Sequence, residues 1–202
     1  ADETVRNASR FLKEGGASAV KIEGASAKRL KLVKAMVEAE VPVMGHVGLT
    51  PQSILSLGRY KVRGKLAAEA RRIVEEAQAL EAAGAFAVVL ESVPVEVAAL
   101  VTRAVGIPTI GIGAGPACDG QILVFHDVMG YSTGYMPKFV RRYADLNGVM
   151  GVAVGAYAAD VRAGRFPDDA TSYHLRPEVA AELAPKRARK PDQAAAKGGG
   201  RR

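Results

Sequence analysis

The feature that most constrains the fold is a regular alternation of short apolar runs with longer amphipathic segments. The apolar runs are SAVKIEG, VPVMGH, FAVVLE, IPTIGIGAG and GQILVFHD. Four segments place their apolar residues on one helical face: TVRNASRFLKEGGA, AKRLKLVKAMVEAE, LAAEARRIVEEAQALEAAGA and VEVAALVTRAVG. Such alternation is typical of parallel βαβ units, in which both faces of the sheet are covered. We therefore predict an α/β fold, either an open doubly wound sheet or a (β/α)8 barrel. Beyond the fifth strand, KFVRRYADL is the clearest predicted helix.

Composition sets the number of domains and the compartment that we expect. A chain of 202 residues with 49% hydrophobic residues supplies one sizeable core and does not require two domains. Cys118 is the only cysteine, so it cannot form a disulfide within the chain. The sequence shows neither a membrane-spanning apolar run nor a secretory signal segment. We therefore expect a cytoplasmic protein with no membrane partner.

The positive net charge of +7 is concentrated at the C-terminal end. Residues 176–202 carry a net charge of +5, whereas residues 1–175 carry only +2. This basic segment has no apolar periodicity, and it is rich in Lys, Arg, Gly and Ala, so we expect it to be disordered. We therefore predict a globular domain at 1–175 and a solvated basic tail at 176–202. Binding of nucleic acid through phosphate charge is an alternative for the tail that we do not favour.

Polar side chains gather at the carboxyl ends of the predicted strands. In chain order they are Lys21 and Glu23, His46, Glu91, the GIGAG run, and His126 with Asp127. The two-residue period of a strand points Lys21 and Glu23 to the same side. Both candidate architectures bind ligands at the carboxyl ends of their strands. These side chains are therefore candidates for binding anions, ligating a hard metal or moving protons.

Each of these candidates also has a purely structural interpretation. Lys21 and Glu23 would form an ion pair, and His46 would be a core histidine. His126 and Asp127 would cap the following loop, and Glu91 would accept N–H groups of the next helix. GIGAG lacks the full dinucleotide-binding pattern. The pattern alone therefore indicates an α/β enzyme with an acid-rich site at its strand ends.

Six blocks of sequence carry a resemblance to a known family. They are VKIEG, GHVGLTPQS, GRYKVRGK, ALEAAGAFAVVLESVPVE, IPTIGIGAGPACDGQILVFHDVMG and PKFVRRYADL. In this order they resemble ketopantoate hydroxymethyltransferases, from about residue 1 to residue 174. The resemblance implies a (β/α)8 TIM barrel, which assembles into a homo-oligomer, a decamer in the family. It implies transfer of a hydroxymethyl group from 5,10-methylenetetrahydrofolate to 3-methyl-2-oxobutanoate, giving 2-dehydropantoate (ketopantoate) for pantothenate and coenzyme A synthesis, with Mg²⁺ as the usual metal.

The resemblance also implies roles for individual residues. Glu91 would be the general base that removes the proton next to the keto group of the substrate. Glu23 would belong to the metal site, and Lys21 would bind the substrate carboxylate. His46 matches a polar active-site histidine of the family. The metal would stabilise the enolate oxygen of the chelated keto acid as a Lewis acid.

The chain departs from the family pattern at its start. Family members have a helix and three further strands before this point. Their second strand ends in a Gly-Asp-Ser stretch and their third in an Ala-Asp-Leu-Pro stretch, and these two aspartates are the main metal ligands of the family. Only about five of the eight βα units are therefore expected here, with little or no turnover by the chain alone. Alternatives are a split enzyme whose missing strands come from another chain, and a non-catalytic remnant that binds a partner or RNA. Another aldolase-like TIM barrel is the remaining alternative.

Overall fold

The computed structural model describes residues 1–53 and 62–184. The helices of these residues are α1 (Asp2–Lys13), α2 (Ala27–Glu38), α3 (Ala67–Ala82), α4 (Val95–Ala104), α5 (Phe125–Val128), α6 (Leu146–Arg162) and α7 (Pro177–Leu183). The strands are β1 (Val20–Glu23), β2 (Val43–Gly48), β3 (Ala87–Glu91), β4 (Thr109–Ile112) and β5 (Gly120–Gln121). The alternation of strands and helices from α1 to β4 is therefore the one that the sequence predicts.

The five strands form one parallel sheet in the sequential order β1-β2-β3-β4-β5. A doubly wound sheet reverses its strand order at a switch point, and no reversal occurs among the described strands. Right-handed crossovers between sequential parallel strands place the connecting helices on the same face, as in a barrel. The structure thus confirms the α/β prediction, and its strand order favours the barrel type over the doubly wound sheet.

The core lies between the sheet and helices α2, α3 and α4. Strand β3 is its centre, since Val88, Val89 and Leu90 are all buried. Leu80 of α3 and Val101 of α4 are fully buried against this side of the sheet. Full burial of a side chain of this size contributes roughly 1.5–3 kcal/mol. The centre of the sheet is consequently well fixed where β3 ends in Glu91.

Two predictions for the segment after β4 are wrong. The predicted fifth strand GQILVFHD is reduced to Gly120–Gln121, and His126 and Asp127 lie in the short helix α5 and not at a strand end. The predicted helix KFVRRYADL is a turn and loop up to the start of α6. The N–H of Tyr143 donates to the carbonyl of Val128 at 2.8 Å, and that of Leu146 donates to the carbonyl of Met129 at 3.0 Å. Backbone groups that a helix would pair locally are therefore bound to the end of α5.

The chain divides into two compact units, residues 1–149 and 150–202. This division falls within α6, so the predicted boundary at residue 175 stays a prediction. Helix α7 lies in the segment that we expected to be disordered, while residues 185–202 of that basic segment lie outside the described residues. Within the described ranges, no helix is both long enough and apolar enough to cross a membrane.

Candidate active site

Three of the predicted site residues come together at the carboxyl ends of neighbouring strands. Glu23 ends β1, and it lies opposite His46 of β2 in the parallel register. Glu91 ends β3 and lies opposite Gly48, two residues beyond His46. The Nε2 atom of His46 is 3.2 Å from Oε2 of Glu91, and its Nδ1 atom is 3.9 Å from Oε1 of Glu23. The imidazole ring therefore stands between two carboxylates.

The imidazole of His46 is almost completely removed from solvent. Its side chain is 1% exposed, and those of Glu23 and Glu91 are 11% and 15% exposed. Nε2 is within hydrogen-bonding distance of Glu91, but neither ring nitrogen makes an aligned hydrogen bond to any described residue. A buried polar group without an aligned partner is costly in a folded protein. Such a group is expected where a side chain serves a reaction, and this carboxylate–imidazole–carboxylate group can hold or move a proton.

The backbone around Glu91 is closely packed and strained. The carbonyl of Glu91 accepts the N–H of Leu49 at 2.8 Å. Gly48 has φ of +92°, and a side chain at this position would collide with the carbonyl of Glu91 and with Val93. Ser92 is buried with φ of +50°, a conformation that is uncommon for residues other than glycine. Strain of this kind is often found at functional sites.

The loop after β2 folds over the end of β1. The carboxylate of Glu23 accepts the N–H of Gln52 at 3.0 Å, from a single 3-10 turn, Pro51–Ser53. The N–H of Gly24 donates to the carbonyl of His46 at 2.8 Å. The block GHVGLTPQS thus fixes the orientation of Glu23 and completes one wall of the site.

The other predicted site residues do not join this group. Lys21 is exposed on β1 and makes no ion pair with a described residue, so the predicted ion pair with Glu23 is absent there. His126 stacks on Tyr131, with ring centroids 5.3 Å apart, and Asp127 accepts the hydroxyl of Ser132. These two residues form local contacts around α5. The structure therefore assigns them no place beside Glu91.

The described residues do not by themselves form a complete metal site. Across residues 1–53 and 62–184, no three His, Cys, Asp or Glu side chains stand close enough together to hold an ion. Mg²⁺ prefers octahedral oxygen coordination, for which Glu23 would supply a single carboxylate. The described donor set therefore does not fit a protein-held Mg²⁺.

Sequence reasoning missed two residues that shape the site, Ser92 and Gly48. Their backbone conformations depend on contacts with neighbouring strands: the N–H of Ser92 donates to Ile112 at 2.9 Å, and Gly48 packs against Glu91. The available signal was a small residue directly after a strand-end acid and a glycine at the end of β2. A glycine in such a place indicates close approach of two backbones.

Comparisons with known proteins identify the family to which the chain belongs. A family model described as ketopantoate hydroxymethyltransferase matches residues 1–169. A 3-methyl-2-oxobutanoate hydroxymethyltransferase of Methylobacterium sp. (strain 4-46) is 55% identical over 181 residues, covering 90% of this chain and 62% of that protein. The corresponding protein of Koribacter versatilis (strain Ellin345) is 53% identical, covering 90% of this chain and 61% of that protein.

A third relative, from Clostridium botulinum (strain Alaska E43 / Type E3), carries the same name and is 50% identical over 174 residues. These residues cover 86% of this chain and 63% of that protein. The chain thus spans 61–63% of the length of these three curated relatives. Because the family model covers most of the chain and half or more of the aligned residues are identical, the chain belongs to the ketopantoate hydroxymethyltransferase family.

Proposed function

We propose that this site removes the proton from C3 of 3-methyl-2-oxobutanoate in the formation of ketopantoate. The observation that carries the proposal is the buried imidazole of His46, 3.2 Å from the carboxylate of Glu91 at the end of β3. Glu91 acts as the general base, and His46 keeps its carboxylate turned toward the site. Lys21 pairs with the carboxylate of the keto acid, whereas the metal-site role expected for Glu23 stays a prediction that the described donor set does not support.

The chemistry of the proposed reaction requires a base of this kind. The C3–H bond breaks, and its proton passes to an oxygen of Glu91 while the electron pair enters the enolate. Water first opens the methylene bridge of 5,10-methylenetetrahydrofolate: both bonds from the methylene carbon to the folate nitrogens break, the nitrogens take the two protons of water, and formaldehyde is left. The enolate carbon then forms a bond to the carbon of formaldehyde, and the resulting alkoxide takes the proton from Glu91 to become the hydroxyl group. A positioned general base contributes roughly 10²- to 10⁴-fold to such a proton transfer.

The proton-transfer step can be tested without the folate. The protein is incubated in D₂O with Mg²⁺ and 3-methyl-2-oxobutanoate, and loss of the C3 proton signal is followed by ¹H NMR. We expect exchange above the rate without protein, and we expect Glu91→Gln to lower it roughly 10²- to 10⁴-fold. Glu96→Gln is the matched control, because Glu96 is exposed in the first turn of α4.

Two outcomes would contradict the proposal. Absence of exchange with the wild-type protein would remove the proposed reaction from this chain. Equal exchange by wild type and Glu91→Gln would show that another group is the base. Ketopantoate formation with methylenetetrahydrofolate is measured separately, because the expectation that the chain alone shows no appreciable turnover stays a prediction. The homo-oligomer also stays a prediction.

A further inference from the structure

A second feature at the same end of the sheet is a cavity of about 320 Å³ beside Glu23. Glu23 and Gly48 line it from the ends of β1 and β2, whereas Lys21, His46 and Glu91 do not line it. Its volume lies at the lower end of the range of small-molecule sites. The cavity therefore adjoins the proposed keto acid site without being the same space.

Two half-buried arginines line this cavity, Arg29 and Arg63. Arg29 lies in the first turn of α2, where its N–H donates to the hydroxyl of the N-cap Ser26 at 3.3 Å. The N–H of Arg63 donates to the carbonyl of Ser92, the residue after Glu91, at 2.9 Å. The backbone of Arg63 is therefore fixed to the residue after β3, and that of Arg29 to the N-cap of α2, three residues after the end of β1.

Some of the charged side chains that line the cavity have bonding partners among the described residues, and others do not. Arg72 also lines it, but its guanidinium binds Glu76 at 2.8 Å. The carboxylate of Glu69 accepts the N–H of Gly64 at 3.2 Å, and that of Glu23 is bound by Gln52. Neither Arg29 nor Arg63 pairs with a carboxylate of residues 1–53 or 62–184. The total charge of the lining is balanced, but these two guanidinium groups are left to bind an anion from outside.

We propose that Arg29 and Arg63 bind the carboxylates of the glutamyl tail of the folate co-substrate. This inference rests on the proposed function, because that reaction needs a second substrate beside the keto acid. A folate ends in glutamate, and each further γ-linked glutamate adds another carboxylate. Guanidinium groups suit carboxylates because their planar fork makes paired hydrogen bonds. The positive end of α2, which also lines the cavity through Ser26, favours the same charge.

The test compares tetrahydrofolate with one glutamate to tetrahydrofolate with three. Dissociation constants are measured by isothermal titration calorimetry on the wild-type protein and on Arg29→Gln and Arg63→Gln, each made separately. We expect the wild type to prefer the triglutamate and each variant to lose roughly five- to tenfold of that preference. Arg71→Gln is the matched control, since Arg71 neighbours Arg72 on α3 and does not line the cavity.

Three other outcomes would each overturn the inference. The wild type could bind neither folate, the two variants could weaken the binding of both folates equally, or Arg71→Gln could reduce the triglutamate preference as much as they do. Displacement of the triglutamate by millimolar inorganic phosphate would show a general anion site and would also overturn it. Circular dichroism of each variant confirms that it is folded.

The same proteins distinguish this inference from the proposed function. The C3 exchange assay contains keto acid and no folate. Retained exchange without a triglutamate preference would remove the inference and leave the proposed function. A triglutamate preference that depends on Arg29 and Arg63, without exchange, would remove the proposed function alone.

Discussion

Replacement of Gly48 by alanine tests whether the close backbone contact beside Glu91 holds the site together. Gly48 has φ of +92°, and this region costs a residue with a Cβ roughly 1–2 kcal/mol. The added Cβ would also lie 2.7 Å from Cγ1 of Val93 and still nearer the carbonyl oxygen of Glu91. Overpacking of this kind costs about 1–3 kcal/mol. We therefore expect Gly48→Ala to lower the free energy of unfolding by roughly 2–5 kcal/mol.

Gly16 offers a matched control for the conformational part of this cost. Its φ is +67°, and a Cβ there would meet no heavy atom within 4 Å. Gly16→Ala should therefore cost only the roughly 1–2 kcal/mol of the left-handed backbone. Urea denaturation of the three proteins gives the free energies of unfolding. The difference between the two variants isolates the contact with Glu91 and Val93.

The C3 exchange assay on the same variants connects this contact to function. Relief of the collision must move the end of β2 away from the end of β3, and the hydrogen bond from Leu49 to Glu91 must lengthen from 2.8 Å. A displacement of about 1 Å at a reacting group costs roughly 10²-fold in rate. Equal stabilities of Gly48→Ala and Gly16→Ala, with equal exchange rates, would refute this reasoning.

Three further predictions follow from the site and from the start of β4. Glu91→Asp shortens the side chain by about 1.5 Å, so the contact of 3.2 Å with His46 lengthens and exchange should fall roughly 10²-fold; an unchanged NMR exchange rate contradicts this. His46→Gln should lower exchange by about tenfold or more, whereas a wild-type rate would show that the ring only fills space. The backbone N–H of Thr109, followed by its hydroxyl, holds the pKa of Asp119 below its ordinary value of 3.8. Because the pKa of Asp119 is lower in the folded than in the unfolded protein, the ionised carboxylate stabilises the folded protein above pH 3.8. This stabilisation is lost as pH falls through the folded-state pKa. The denaturation midpoints of wild type and Asp119→Asn should therefore converge in strong acid.

The sequence predicts that Glu23, His46 and Glu91 lie close together, because their proximity depends on only a few physical rules. Buried parallel strands read as continuous apolar runs, and their carboxyl ends lie at one edge of the sheet. A polar residue at the end of such a run must therefore face its counterparts on neighbouring strands. The observed pairing of Glu23 with His46 in the register is the direct result.

The wrong predictions concern segments whose backbone partners are distant in sequence. KFVRRYADL has a helical apolar pattern, but the amides of Tyr143 and Leu146 are taken by the carbonyls of Val128 and Met129. The position of Arg63 likewise depends on Ser92, which lies far along the chain. Local periodicity cannot contain such information, because it reports only which residues share a face.

The end of β3 shows how the fold and the proposed chemistry depend on each other. An acid at the end of a buried strand would ordinarily turn toward solvent, as charged groups are costly to bury. Here Ser92 adopts a left-handed conformation directly after Glu91, and its N–H donates to the carbonyl of Ile112 of β4. Glu91 thus stays in the ladder beside Gly48 and within 3.2 Å of His46. The left-handed conformation of Ser92 and the absence of a side chain at Gly48 both keep the carboxylate of Glu91 beside the imidazole of His46. A relaxed conformation at residue 92, or a Cβ at residue 48, would move this carboxylate away from the imidazole.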